Sequence, residues 1–327
     1  MPPPRLLLAC CLALAASQAG AFDLQGHRGA RGLAPENTLP GFARALGVGV
    51  TTLETDIAIT RDDVLVISHD PALNPEITRG PDGKFLAARG PVIRQLRFDE
   101  LQRYDVGRLN PALPYASRYP DQQAADGARI PRLAQLFALL ERAGGHDVRL
   151  ALEIKTTPFN ADETVAPEPF AQALVAAVRA AGLPARTSIL SFDWRALAAV
   201  QALAPEIETV YLTAQQPWLD NVRAGTAEGS AWTAGVQHRE HGSVPKMVRA
   251  AGGRTWSAFF GDLDAAAVRE AHALGLKVLA WTVNAPADIE RMLDLGVDGI
   301  VSDRPDRVRD ALQRRGRPLP ARVAVSP

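Results

Sequence analysis

Cysteine is nearly absent from this sequence of 327 residues, because only Cys10 and Cys11 are present, side by side near the start. If the segment that contains them is removed after synthesis, the remaining chain has no cysteine. Such a chain cannot contain a disulfide, a zinc site with cysteine ligands or a cysteine nucleophile. Any metal would then bind through carboxylate, imidazole or carbonyl groups.

The sequence also lacks an excess of charge of either sign, since 36 basic residues balance 36 acidic ones. Proteins that bind nucleic acid or anionic membrane surfaces usually carry a basic excess, so neither is expected as a main partner. Hydrophobic residues make up 47% of the chain, which is ordinary for a globular protein and too high for a disordered one.

The chain has no apolar run near its start that is long enough to span a membrane, because the run at 6–16 covers only 11 residues. As a helix it would be ~16 Å long, about half the thickness of a hydrocarbon core. Arg5 precedes it and Ala19-Gly20-Ala21 follows, a pattern typical of a secretory signal. We expect residues 1–21 to direct export of the protein, which is then periplasmic or secreted. After cleavage of this segment, no stable membrane insertion is expected. A retained anchor and a lipoprotein site at Cys10 are the alternatives.

The remainder of the chain alternates between apolar strand-like runs and amphipathic helical stretches. Repeated alternation predicts a parallel sheet with crossover helices, and about eight such units favour an α/β fold of the (β/α)8 TIM barrel type. A doubly wound open sheet is the alternative. Strands are predicted at 22–27, 52–59, 64–69, 148–154, 187–192, 208–212, 255–259, 277–283 and 299–302, and helices at 38–46, 133–143, 169–181, 194–203, 263–274 and 286–295.

Three stretches depart from this alternation. Residues 71–129 are rich in Pro, Gly and Arg and lack a long helix, so we expect a small inserted subdomain after the second strand, within a barrel domain that spans 22–314. Residues 213–253 are expected to form a second long loop that carries Trp218 and Trp232. The final residues, 315–327, are expected to form a flexible tail.

Polar side chains of catalytic type follow four of the predicted strands. Glu54 and Asp56 are two residues apart in a strand, so they point to one face, and Glu153 and Lys155 repeat that geometry. His27 ends the first predicted strand and Arg28 follows it, and His69 ends another. Each feature alone has an ordinary structural explanation, such as an ion pair or a hydrogen-bonding histidine. Their coincidence at strand ends is what indicates an active site, because barrel enzymes place theirs at that rim.

The carboxylates predict a cation. Three carboxylates ~6 Å apart repel one another by about 3 kcal/mol per pair at an effective dielectric constant of ~20. Lys155 offsets only part of that repulsion. A divalent ion would offset more, and hard oxygen ligands suit Ca²⁺ or Mg²⁺.

These motifs together resemble those of the glycerophosphodiester phosphodiesterase family. The resemblance is carried by GHRGARGLAPENTLPGFARAL, LETDIAITRDDVLVISHD, LEIK, WTVN and GVDGIVSDRP, in this order along nearly the whole chain after residue 21. YDVGRLNP and ARIPRLAQ resemble segments of exported members that contain an insertion. The resemblance implies a TIM barrel.

The resemblance also implies roles for individual residues. It implies that Glu54, Asp56 and Glu153 are metal ligands and that His27 and His69 are the acid and base. The substrate-binding residues that it implies are Arg28 and Lys155 for the phosphate and Phe192 and Trp281 for the alcohol, with Glu36 as an additional acidic residue near the metal. His27 is favoured as the base and His69 as the acid, with the reverse assignment open.

The implied activity is metal-dependent hydrolysis of glycerophosphodiesters, small molecules such as glycerophosphocholine, to glycerol 3-phosphate and an alcohol. In this chemistry one histidine takes a proton from the nucleophile and the other protonates the leaving alcohol. A lysophospholipase D-like enzyme or another phosphodiesterase on the same fold is one alternative, favoured by the two tryptophans of 213–253. A non-catalytic phosphodiester binder is the other.

Overall fold

The computed structural model describes residues 22–160 and 162–327, and in this part of the chain eight parallel strands close into a barrel. The first strand pairs with both the second and the last, which closes the sheet. The predicted (β/α)8 barrel is therefore confirmed, and the open-sheet alternative is wrong. The barrel strands are β1 (Asp23–Gly26), β2 (Thr52–Ile59), β4 (Arg149–Ile154), β5 (Thr187–Ser191), β6 (Glu208–Thr213), β9 (Thr255–Phe259), β10 (Lys277–Trp281) and β11 (Gly299–Ser302).

One predicted strand lies outside the barrel. The strand β3 (Leu65–Ile67) runs antiparallel to β2, with Ile57 opposite Ile67 and Ile59 opposite Leu65. We expected His69 to end a strand like those that carry the other motifs. This prediction is wrong, because β3 is antiparallel to β2 and is not a barrel strand. Because β3 runs back along the end of β2, however, the Ser68 N–H reaches the Asp56 carbonyl, which brings the following residue beside the acidic strand.

Helices follow each barrel strand and bury one apolar face against it. In the helix after β2, α4 (Leu133–Arg142), the buried residues are Leu133, Leu136, Leu139 and Leu140, the spacing of one helical face. Thr38 caps the helix after β1, α1 (Leu39–Val48), by accepting a hydrogen bond from the Gly41 N–H. The helices that follow the barrel strands are α1 (Leu39–Val48), α4 (Leu133–Arg142), α5 (Pro167–Ala180), α6 (Trp194–Leu203), α8 (Val244–Ala250), α9 (Ala265–Ala273), α10 (Pro286–Leu295) and α11 (Pro305–Arg314).

The stretch at 71–129 contains only short helical elements: a 3₁₀ turn at Ile93–Gln95, α2 (Phe98–Leu101) and α3 (Pro114–Ser117). Together with β3 and its flanks it has a small hydrophobic core of its own, separate from the main barrel core. This core consists of Val66, Leu73, Ile93, Leu101, Val106 and Ile130. This core lies beside β2, because Val66 belongs to β3, which pairs with β2.

The stretch at 213–253 is more structured than a loop, contrary to the expectation. It contains a hairpin of β7 (Gln215–Gln216) and β8 (Leu219–Asp220), a 3₁₀ turn at Ala231–Thr233, α7 (His238–His241) and α8. The helix α8 has only seven residues, so its apolar periodicity is too short to stand out in the sequence.

The tail forms no helix or strand after Arg314 within the described residues. Its backbone nevertheless contacts the barrel, since the Val323 N–H donates to the Leu46 carbonyl, and Leu319 and Val325 pack against the main core. The predicted signal segment, 1–21, lies outside the described residues.

Candidate active site

A cavity of about 650 Å³ opens at the carboxyl ends of the barrel strands. One part of its lining, which we call the charged wall, includes His27, Arg28, Glu54, His69, Glu153 and Lys155. Another part, the aromatic wall, consists of Phe192, Trp218, Trp232, Phe259 and Trp281. The two walls face one cavity, so charged and apolar parts of one molecule can bind side by side.

The three predicted acids meet at the base of the charged wall. Asp56 on β2 lies opposite Glu153 on β4 in the parallel register, and Glu54 precedes Asp56 by one pleat. One carboxylate oxygen from each residue lies within 4.8 Å of the others. Glu54, Asp56 and Glu153 are 3%, 1% and 7% exposed, so the carboxylates are withdrawn from bulk water.

Crowding and burial oppose the negative charge of this cluster. Burial and the neighbouring carboxylates raise the pKa of Glu54 well above its usual value. Burial likewise raises the pKa of Glu153 to about 7, although Lys155 acts in the opposite direction. Burial also disfavours ionised Asp56, but His69, Lys155 and Arg28 more than offset it, so its pKa is lowered. The cluster therefore lacks positive charge at its centre.

The donor set fits a divalent cation. Asp56 Oδ1 is buried and accepts no hydrogen bond from the described residues. Lys155 neutralises the cluster only in part, with its Nζ 2.8 Å from Glu153 Oε1 and 3.5 Å from Asp56 Oδ1. Carboxylate oxygens are the ligands that hard divalent cations prefer. Glu54, Asp56 and Glu153 are the residues that could hold such an ion.

A tight turn after β1 orients His27. A Cβ on Gly26 would lie 2.2 Å from the Gly29 carbonyl oxygen, and Gly29 has a φ of +85°, so both positions require glycine. The His27 N–H donates to the Ser302 carbonyl across the barrel closure. The chain thereby holds the imidazole at the rim of the barrel, close to Glu54.

Asp303 fixes the tautomer of His27. His27 Nδ1 lies 2.6 Å from Asp303 Oδ1, and Arg31 and Asn284 donate further hydrogen bonds to the same carboxylate. Although burial opposes it, Arg31 and His27 lower the pKa of Asp303, so this carboxylate only accepts and Nδ1 carries the proton. Burial and Arg31 lower the pKa of His27 to about 4. Its free Nε2, 4.0 Å from Glu54 Oε2, is thus a proton acceptor near neutral pH.

His69 has a more open setting than His27. Its side chain is 32% exposed against 13% for His27. His69 Nδ1 lies 2.8 Å from Asp70 Oδ1, and Asn74 donates to the other oxygen of Asp70. Burial, Arg28 and Lys155 lower the pKa of His69, while Asp56 and Asp70 favour its protonated form. Its protonation therefore depends on the charge that occupies the cavity.

Glu36 contacts a guanidinium rather than the acid cluster. Arg28 Nη1 donates to Glu36 Oε1 at 2.7 Å, and the Tyr115 hydroxyl donates to Glu36 Oε2 at 2.5 Å. Arg31 in turn donates to the Tyr115 hydroxyl. Both carboxylate oxygens of Glu36 are thus engaged, and Glu36 orients Arg28 at the cavity.

Sequence reasoning missed several partners of the predicted residues. Asp303 lies in the GVDGIVSDRP segment, but nothing local indicated a bond to a histidine 276 residues earlier. Tyr115 belongs to the inserted stretch, whose composition suggested no ligand. Asn37, which follows the motif histidine by ten residues, donates to Asp56 Oδ2, while the neighbouring Thr38 caps α1.

The aromatic wall contains the two predicted aromatic residues and three more. Phe192 and Trp281 meet edge to face with ring centroids 5.3 Å apart. Trp218, in the β7–β8 hairpin, lies 5.2 Å from Phe259 and 6.1 Å from Trp281. The indole N–H of Trp281 donates to the Ser257 carbonyl, which fixes its orientation.

Comparisons with known proteins agree with this geometry. A curated glycerophosphodiester phosphodiesterase of Caldanaerobacter subterraneus subsp. tengcongensis is 24% identical over 290 residues, which cover 89% of this chain and 97% of the relative. A crystal structure of a candidate glycerophosphoryl diester phosphodiesterase from Silicibacter pomeroyi is 38% identical, with a TM-score of 0.80 over 90% of this chain and 94% of that one.

A third protein shares the fold. The structure of an Oleispira antarctica phosphodiesterase in complex with the product sn-glycerol 3-phosphate is 24% identical and has a TM-score of 0.62. It covers 88% of this chain and 96% of its own. The sequence profile of the glycerophosphoryl diester phosphodiesterase family matches residues 27–307, which include both walls of the cavity. The chain therefore belongs to the glycerophosphoryl diester phosphodiesterase family.

Proposed function

We propose that the protein hydrolyses glycerophosphodiesters to glycerol 3-phosphate and an alcohol, with a divalent cation held by Glu54, Asp56 and Glu153. The observation that carries this proposal is the buried carboxylate cluster with two imidazoles at the same cavity, in a chain of this family. When bound, a divalent cation supplies Lewis-acid polarisation of a phosphoryl oxygen and neutralises the carboxylates. The oxygen-only donor set supports Ca²⁺ or Mg²⁺.

His27 is the general base in this proposal. Asp303 holds the proton of the imidazole on Nδ1, so that Nε2 accepts a proton from the attacking hydroxyl. The carboxylate also stabilises the imidazolium that forms, as in other carboxylate–histidine pairs.

His69 is the general acid. The Asp70 carboxylate favours its protonated form, while Arg28 and Lys155 oppose it. An anionic phosphate bound between those two cations would weaken their effect on His69. Substrate binding therefore raises the affinity of His69 for the proton that it then gives to the leaving alcohol.

Arg28 and Lys155 are proposed to bind the phosphate. Both lie on the charged wall, and each is held by a carboxylate, Arg28 by Glu36 and Lys155 by Glu153. A guanidinium with a fixed orientation binds an anion with less loss of side-chain entropy than a free one. Glu36 thus acts through Arg28 rather than on the substrate.

A lysophospholipase D-like activity is the second candidate. The observation that favours it is Trp218, whose side chain is 60% exposed at the cavity mouth, where an acyl chain could contact it. A non-catalytic binder is less consistent with two imidazoles whose Nδ1 atoms both lie beside carboxylates.

We propose that the protein is exported, to the periplasm or the medium. This proposal depends on the sequence pattern of 1–21 alone. Among the described residues, no helix combines the length and apolar character needed to cross a membrane. The proposal is tested by expressing the chain with and without residues 1–21 and measuring the amount of protein in the periplasm, the medium and the cell body.

The activity is tested by incubating the purified, metal-supplied protein with glycerophosphocholine and, separately, lysophosphatidylcholine. Glycerol 3-phosphate and choline should appear from the first substrate at the higher kcat/KM. The matched control replaces His27 and His69 together with Asn, and any product that it releases reveals contaminating phosphodiesterases. Absence of product from both substrates, or equal product with the control, contradicts the proposal.

A further inference from the structure

Arg31 is a buried residue of the cavity lining to which the proposed mechanism assigns no step. Its guanidinium donates from Nε to Asp303 Oδ1 at 2.9 Å and from Nη2 to Asp303 Oδ2 at 3.1 Å. From Nη1 it donates to the Tyr115 hydroxyl at 2.9 Å. All three nitrogens of the guanidinium are thus committed to two partners.

The two partners belong to different parts of the proposed mechanism. Asp303 bonds His27, the proposed base, and we call this pair the base arm. The Tyr115 hydroxyl donates to Glu36, which in turn holds Arg28 at the proposed phosphate site. We call these three residues the phosphate arm. The guanidinium therefore joins the base arm to the phosphate arm through direct hydrogen bonds.

The contact with Asp303 depends on the shape of a guanidinium as well as on its charge. Two of its nitrogens approach the two oxygens of one carboxylate, a forked arrangement that fixes the plane of the carboxylate. An ammonium is a compact charge on a flexible stem, so it cannot form this fork while it also reaches the Tyr115 hydroxyl. Lysine at position 31 would keep the charge but lose the orientation.

The inserted stretch holds Arg31 in this orientation. The centroid of the Tyr119 ring lies 5.0 Å from the guanidinium carbon, and that of the Tyr115 ring lies 6.0 Å from it. Aromatic faces attract a guanidinium and restrict its movement. Gln122 Nε2 donates to the backbone carbonyl of Arg31 at 2.7 Å. The inserted stretch thus contacts both the backbone and the side chain of this residue.

We propose that Arg31 is a positioning residue that sets the base arm relative to the phosphate arm, and that the inserted stretch contributes to catalysis because it holds Arg31. This inference rests on the proposed function and assigns a further residue to it. The proton acceptor must face the attacking hydroxyl while the phosphate is bound beside it. A misplacement of about 1 Å between reacting groups can lower a rate by about 100-fold.

Steady-state turnover of glycerophosphocholine by Arg31→Met and Arg31→Lys tests the proposal against an effect of charge alone. Arg31→Met should lower kcat by about 10- to 100-fold, because the base arm loses its support. It should also raise KM by about threefold, because the phosphate arm loses a hydrogen bond. Arg31→Lys should remain within about threefold of Arg31→Met in both parameters. Wild-type kinetics in the Lys variant would overturn the proposal.

Arg118→Met is the matched control for the loss of one positive charge. Arg118 lines the same cavity, and its guanidinium carbon lies 5.9 Å from the centroid of the Tyr115 ring, outside the chain of hydrogen bonds. Its kcat should stay close to that of the wild type. A fall in kcat equal to that of Arg31→Met would assign the effect to the charge of the cavity and would overturn the proposal.

Double variants test whether Arg31 acts through the two arms. The kcat of Arg31→Met combined with Asp303→Asn should lie within about twofold of the lower single variant, since groups that act as a unit are not additive. For the same reason, the KM of Arg31→Met combined with Tyr115→Phe should not exceed that of Arg31→Met. Multiplicative effects in either pair would contradict the joint role.

Two measurements that need no turnover separate failure of this inference from failure of the proposed function. Calorimetric titration of the metal-supplied protein with glycerol 3-phosphate reports on the phosphate arm, and Arg31→Met should weaken binding by about threefold. The downfield NMR signal of the His27 Nδ1 proton, assigned by its loss in His27→Asn, reports on the base arm. Arg31→Met should accelerate the exchange of this proton with water.

Changes in both measurements support the inference even if no diester is cleaved, a result that would contradict only the proposed hydrolysis. An unchanged value in either one overturns the joint role even if diesters are cleaved.

Tyr119→Leu keeps the test decisive if Arg31→Met does not fold. It removes the ring that packs on the guanidinium and leaves Asp303 and Tyr115 in place. Circular dichroism establishes that the variant is folded. It should lower kcat and raise KM by about threefold each, the contribution of one such contact. Wild-type values of both parameters in the folded variant would contradict the role of the inserted stretch.

Discussion

The charged wall and the aromatic wall face the same cavity but are held in different ways. In the charged wall, Arg28, His27 and Lys155 each engage a carboxylate through directional bonds of 2.6–2.8 Å. The aromatic rings touch mainly through edge-to-face contacts with centroids 5.2–6.1 Å apart, and Trp218 is mostly exposed.

This difference predicts different tolerances to substitution. A polar group that loses one partner in a buried site keeps its full desolvation cost, so a change of one atom has a large effect. Apolar contacts depend on volume and shape, and similar side chains replace one another at smaller cost. We therefore expect the charged wall to determine whether reaction occurs and the aromatic wall to determine which ester reacts.

The largest effect is expected from Glu54→Gln, which keeps the shape and removes one proposed ligand charge. Loss of cation binding should lower kcat/KM by about 1000-fold, since a metal ion contributes several kcal/mol to such reactions. The raised pKa of Glu54 means that its ionised form destabilises the metal-free fold above the ordinary pKa. In chelator at pH 7, the variant should therefore unfold about 2 °C above the wild type. Unchanged turnover would contradict the ligand assignment.

Replacement of one histidine is expected to have the next largest effect. His69→Ala should lower kcat by at least about 100-fold, because it removes a group that transfers a proton in the reaction. His272→Ala is the control, because His272 lies on α9 outside the cavity lining, where it pairs with Asp298. Equal rates for the two variants would refute the role of His69.

Asp303→Asn should reduce kcat by about 10- to 100-fold with a smaller change in KM. The side chain keeps its size, but its amide can present an N–H to His27 and favour the wrong tautomer. Steady-state kinetics over a range of glycerophosphocholine concentrations measures both parameters. A change confined to KM would mean that Asp303 acts on substrate binding instead.

Tyr115→Phe is expected to have the smallest effect on the charged wall. It removes the hydroxyl that donates to Glu36, so Arg28 loses part of its support. KM should rise about threefold, and the free energy of unfolding should fall by about 1–2 kcal/mol, as measured by urea denaturation. Tyr104→Phe, which removes a hydroxyl beside the small core of the inserted stretch, is the control. Equal KM values in the two variants would contradict the role of Tyr115 in supporting Arg28 through Glu36.

The structural features that could be predicted from the sequence are those that repeat along the chain or depend on residues close together in it. Alternation of strands and helices was enough for the barrel, and spacing by two put Glu54 and Asp56 on one face. Family motifs indicated both histidines. The antiparallel β3 was not predicted, because an apolar run of a few residues carries no information about its direction.

The partners of the site residues were harder to predict. Asp303 and His27 are adjacent only because the last barrel strand closes against the first. Tyr115 reaches Glu36 from an inserted stretch with little regular structure. Trp218 joins Phe259 and Trp281 through a two-residue strand pair. Such contacts follow from tertiary closure rather than from local sequence pattern.

The requirement for a cation at the carboxylate cluster is the central claim, and turnover of glycerophosphocholine before and after chelation tests it most directly. The account predicts that the chelated protein releases no glycerol 3-phosphate and that Ca²⁺ or Mg²⁺, added back separately, restores release in the wild type. Full turnover in the chelated protein, with no response to either cation, would contradict it.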